Sequence, residues 1–122
     1  MNSAKEAADI EVFRAELVAA LPPARQAITA MRAALDDAEE AARRTEEYAL
    51  ARRPMTELMR DVGSDMVRAN LSSAAQELER TRHAVQRAFF RLLIAEGMTI
   101  ADIARELRVS RTLVSRIVNE QS

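Results

Sequence analysis

Thr99-Ile100-Ala101-Asp102-Ile103-Ala104-Arg105-Glu106-Leu107-Arg108-Val109-Ser110-Arg111-Thr112-Leu113-Val114-Ser115-Arg116-Ile117-Val118 is the stretch on which the reading of the whole chain turns. Its apolar spacing predicts two short helices joined by a tight turn. Thr99 sits where it can cap the first helix, with Asp102 three residues on, and Ser110 can cap the second. Ile100, Ile103, Ala104 and Leu107 form one inner face, and Val114, Ile117 and Val118 the other, with Val109 inserted between them. Leu113 falls near the boundary. Arg111, Thr112, Ser115, Arg116 and Asn119 are left on the outer face of the second helix. Arg108 falls in the turn between the two helices. The preceding helix supplies a third wall from Phe89 or Phe90 with Leu93.

Composition supports helices throughout. The 122 residues are 48% hydrophobic but only 3% aromatic, so the core is built from Ala, Leu, Val, Ile and Met. Two glycines and three prolines leave little turn material, and no stretch alternates in the manner of a strand. The expected fold class is therefore all-α. With no cysteine and one histidine, neither a disulfide framework nor a metal site is expected, and no catalytic constellation stands out. No cofactor is expected either. No apolar run has the length of a membrane span, and the N-terminus lacks the form of a signal peptide, so a cytoplasmic protein is expected.

Charge is unevenly distributed. Residues 80–122 carry eight arginines against four carboxylates, a net of +4, while the preceding residues carry ten basic and fifteen acidic side chains. An acidic body joined to a basic end fits an end that meets phosphate, although solvated helix faces can show such an imbalance by chance.

Working back from the decisive stretch, Val67, Leu71, Ala74, Leu78, Thr81, Val85, Ala88 and Leu92 recur in steps of three and four, predicting one long helix from Ser64 to about Gly97. Ile28, Met31, Leu35, Ala38, Ala42, Thr45 and Ala49 show the same rhythm, predicting a helix from about Ala24 to Arg52 that pairs with it as a hairpin. A first helix, about Ala4 to Ala20 with the apolar positions Ile10, Phe13, Leu17 and Leu21 at helical spacing, is expected to end at Pro22-Pro23. Met55 to Val62 reads as a turn, Met55, Met59 and Met66 as gap-filling core, and His83 as an exposed bystander. Arg91 and Arg105 read as solvated surface. The expected architecture is a helical hairpin or three-helix bundle over residues 1–80, continuing into a tri-helical unit over residues 81–122.

The run from Ile103 to Asn119 resembles the helix-turn-helix of bacterial transcriptional regulators. Val109 to Asn119 is similar to the recognition helix of the lactose-repressor family. The helix in front, from Phe90 to Glu96-Gly97-Met98-Thr99, is closer to the three-helix DNA-binding domain of resolvase-type recombinases. The resemblance covers about a third of the chain and does not reach the first 80 residues, and this chain departs from it at Arg108, where such motifs place glycine in a left-handed turn. It implies that Arg111, Thr112 and Arg116 face base edges and that Ser110 and Ser115 lie against phosphate or bases. The expected function is sequence-specific binding of double-stranded DNA by a homodimeric, nucleoid-associated regulator. Thr99, Arg108, Ser110, Arg111, Thr112, Ser115, Arg116 and Asn119 form the contact set. The alternative is a helical protein-interaction module, such as an antitoxin or a partition accessory, that takes a protein partner through its N-terminal helices.

Overall fold

The structure, a computed structural model, describes residues 3–120 and is all-helical, with no strand among the described residues. In chain order the helices are α1 Ser3–Leu50, α2 Met55–Val62, α3 Ser64–Ala95, α4 Ile100–Leu107 and α5 Arg111–Val118. No helix of the described residues is long and apolar enough to cross a membrane.

Pro22 and Pro23 lie inside α1 and do not end it, contrary to the expected break. Neither ring nitrogen can donate to the carbonyls of Val18 and Ala19, so two ladder bonds are missing. The compensation is a single inner line that keeps its three-four phase across the prolines. It comprises Ile10, Phe13, Leu17, Ala20, Ala24, Ala27, Met31, Ala34, Ala38, Ala41 and Tyr48, all partly or fully buried. Leu21, expected in register with Ile10, Phe13 and Leu17, is 41% exposed because the line continues through Ala20 and Ala24. Both prolines are on the exposed side too, where water can satisfy the freed carbonyls.

That line also corrects the expected register of α1. Met31 and Ala38 point inward as expected, but Ile28 and Leu35 are 41% and 49% exposed, and Ala42, Thr45 and Ala49 are exposed too. The buried positions are instead the alanines one residue earlier, Ala27 and Ala34, at 3% and 6% exposure. Small side chains let a neighbouring backbone come close, and larger residues are displaced to the rim. In α3 the expected stripe holds, with Thr81, Ala88 and Leu92 buried and Val67, Leu71, Ala74, Leu78 and Val85 partly so.

By their contacts the residues form two units: one joins the chain up to Ala24 with the chain from Arg80 onward, and the other is Arg25–Glu79. Within Arg25–Glu79, α1 and α3 run antiparallel. One shallow groove is lined by Ala30, Ala33 and Ala34 with Asn70, Ser73 and Ala74, and another sets Ala41 and Arg44 beside Val67. Arg52, in the left-handed region at φ 58°, turns the chain after α1. Met55 to Val62 is a helix rather than a turn, started by extended Pro54, whose carbonyl accepts from the Glu57 amide. An eight-residue helix can bury one face. Leu58 takes it, and the Tyr48 hydroxyl donates to the Asp61 carboxylate at 2.7 Å. Met55 and Met59 are therefore exposed, and Met66, in the first turn of α3, is exposed as well, so none of the three is core. The Arg53 guanidinium covers the Tyr48 ring, 3.8 Å from its centroid. The α3 backbone opens on the Gly63 carbonyl, and the expected cap by the Ser64 side chain lies outside the described residues.

Because the seam is closely packed, Ala27→Leu should destabilise the chain by about 1–3 kcal/mol. Gln26→Leu, one residue away on the exposed side, should stay within about 0.5 kcal/mol. Urea unfolding of the two variants checks the register directly.

Candidate nucleic-acid interface

The C-terminal unit is built on five closed positions. Phe90, Ile103, Val114 and Ile117 are at most 1% exposed and pack with Ala104. Leu93, Ile94, Met98, Ile100, Val109, Leu113 and Val118 surround them. Phe90 supplies the third wall, and Phe89 is 39% exposed. Leu107, expected on the inner face, is 45% exposed, because α4 is only two turns long and its buried face is filled by Ile103 and Ala104.

Each junction has a local chemical cause. Gly97, at φ 109°, stops α3; its amide bonds the Ile94 carbonyl and the Met98 amide bonds the Leu93 carbonyl. Thr99 and Asp102 then form a reciprocal cap: Thr99 Oγ1 accepts from the Asp102 amide, and the Thr99 amide donates to Asp102 Oδ2, both at 3.1 Å. Arg105 donates to the same carboxylate at 2.7 Å and so remains a surface residue. The Thr99 amide, the Thr99 hydroxyl and Arg105 together hold the Asp102 pKa below its ordinary 3.8. Arg108 adopts the left-handed backbone expected of the turn, with φ 55° and ψ 46°. Val109 then bonds back to the Ala104 carbonyl, and Ser110 Oγ caps α5 by accepting from the Leu113 amide at 3.0 Å.

With Val114 and Ile117 fully inward, Arg111, Thr112 and Arg116 are exposed on the far side of α5, next to exposed Ser110 and Arg108. Thr99 is exposed at the start of α4. No carboxylate pairs with Arg108, Arg111 or Arg116 among the described residues. Ser115 is half-buried, and Asn119 bends back, its amide donating to the Ser115 carbonyl at 2.8 Å and to Ser115 Oγ at 3.3 Å. These contacts close the end of α5 on itself, one turn along the helix from Arg111 and Arg116.

The far end of α5 is tied to α3 by residues that sequence reasoning passed over. Arg91 donates to the Val118 carbonyl at 3.2 Å and to the Glu120 carbonyl. His83 hydrogen-bonds the Glu120 carboxylate, and Arg87 lies 3.9 Å from it. His83 is thus no bystander, nor is Arg91 simply solvated surface: Arg91 caps carbonyls that α5 leaves open. The only hint in the sequence is the spacing of His83, Arg87 and Arg91 by four along one helix face.

No protein-family model matches this sequence, and no curated protein and no solved structure is similar to it. No group of metal-ligating side chains occurs among the described residues.

Thr99→Ala should cost about 1 kcal/mol of unfolding free energy through the lost cap. Arg108→Gly should gain about 1 kcal/mol by removing the left-handed strain. The Asp102 carboxylate stabilises the fold above pH 3.8 and loses that effect as pH falls through its lower folded value. The melting-temperature gap between the parent chain and Asp102→Asn should therefore close in acid.

Proposed function

We propose that this chain is a sequence-specific DNA-binding protein, a dimeric regulator of bacterial type that works on the nucleoid and lays α5 in the major groove. The observation that carries this reading is the outer face of α5, where Arg111, Thr112 and Arg116 stand exposed while Val114 and Ile117 anchor the opposite face. A helix of this width enters the major groove of B-form DNA, and an arginine fork matches guanine O6 and N7. Arg111 and Arg116 take that role, and Thr112 reads a neighbouring base.

Phosphate contacts fall to Arg108 and to the hydroxyls of Thr99 and Ser110. Each hydroxyl oxygen accepts from its own helix, which leaves the hydroxyl proton to donate. The first amides of α5 add the favourable end of the helix dipole. Ser115 and Asn119 complete the contact set: Ser115 Oγ accepts from Asn119 and keeps its own proton to donate, and the Asn119 amide oxygen is left to accept. The fixed ends of α5, Ser110 at the start and Arg91 near the finish, hold the outer face in one orientation. Two such units on a two-fold pair would read half-sites one helical turn apart, about 34 Å.

Selection of bound duplexes from a random pool tests the reading, and a palindromic motif is the expected result. Arg116→Ala should weaken the selected duplex by about 1–3 kcal/mol and relax preference at one base-pair step. Arg108→Ala should weaken all duplexes alike and lower the salt slope by about 1. Equal affinity for selected and random duplexes at physiological salt would overturn the proposal.

A further inference from the structure

The surface of α1 within Arg25–Glu79 carries a second seven-residue repeat that the fold leaves uncovered. Ile28, Leu35, Ala42 and Ala49 form one exposed row, and Arg25, Arg32, Glu39 and Glu46 form the next row on the same side. The order of charges along that second row is basic, basic, acidic, acidic. None of the four makes a side-chain hydrogen bond or ion pair among the described residues. Arg43, by contrast, takes both Glu40 and Glu47 of its own helix.

We propose that this face binds the same face of a second copy, with the two α1 helices antiparallel and a two-fold axis between Leu35 and Asp36. That axis sets Arg32 against the partner's Glu39 and Arg25 against the partner's Glu46, and each pair occurs twice by symmetry. A two-fold interface presents one patch to itself, so a patch whose charges reverse about its midpoint is self-complementary. A parallel arrangement sets like against like at all four positions and is disfavoured. The apolar row supplies the contact between the charged borders, with Leu35 meeting its own copy near the axis. The inference names the surface behind the two-fold pair proposed above, but it stands on α1 and needs no contact with DNA.

The chain has no cysteine, so single replacements report geometry cleanly. Sedimentation at tens of micromolar should give two chains. Under oxidation Leu35→Cys should cross-link to itself. Ile28→Cys should not, because two copies of that position lie about 22 Å apart along an antiparallel pair. Arg32→Glu and Glu39→Arg should each weaken association on the order of 10-fold. The double variant Arg32→Glu/Glu39→Arg should restore it, with helicity by circular dichroism unchanged in all three. A monomer, equal cross-linking at positions 28 and 35, or charge reversals without effect would each overturn the inference. A dimer with this pattern that shows no duplex preference would keep it and remove the DNA reading.

Discussion

The burial of alanine along the inner line of α1 decides both what Arg25–Glu79 covers and what it leaves in solvent. An alanine seam brings backbones together while removing little apolar area per residue. Ala27 and Ala34 occupy the inner line, and Ile28 and Leu35 are displaced to its rim, half covered. The chain therefore keeps much of its larger apolar surface outside its own core. Tyr48, nearly closed, held by Asp61 and covered by Arg53, ends the seam with the one large side chain that the line buries there.

The C-terminal unit works by a different balance. It fills a small volume with Phe90, Ile103, Val114 and Ile117, all but sealed from solvent, and then fixes α5 at both ends through polar contacts. Two short helices have little intrinsic tendency to stay formed. The paired Thr99–Asp102 cap, the Ser110 cap and the Arg91 bonds supply what length does not. Stiffness at the ends of α5 leaves Arg111 and Arg116 as the exposed, charged fringe of a fixed frame.

Much of this was legible in the sequence because the signals were local. Thr99, Asp102 and Ser110 announce their caps by type and spacing, and the resemblance to helix-turn-helix motifs put the left-handed turn at Arg108. The α3 stripe was legible for the same reason, since a leucine or valine opens almost every second step. In α1 the rule that larger residues go inside misleads, because alanine occurs on nearly every face and the seam selects for smallness. Pro22-Pro23 misleads similarly: the local penalty is real, but a line of burial running past it on both sides outweighs it. Contacts such as His83 with Glu120, or Arg91 with the end of α5, join residues far apart in sequence and leave no periodic trace.

The grouping of the chain up to Ala24 with the chain from Arg80 onward has a consequence for how the protein is made. Translation delivers the first half of α1 early, yet the residues it groups with emerge only after the whole of Arg25–Glu79 has been added. At about 5–20 residues per second that interval lasts several seconds. Ile10, Phe13 and Leu17 wait through it with their inner face open, on a helix interrupted by two prolines. Arg25–Glu79, which is a compact unit by itself, can close before the earliest and latest segments meet. A ribosome stalled just after Glu79 has emerged would hold a nascent chain whose hairpin is complete and whose first turns have nothing to lie against.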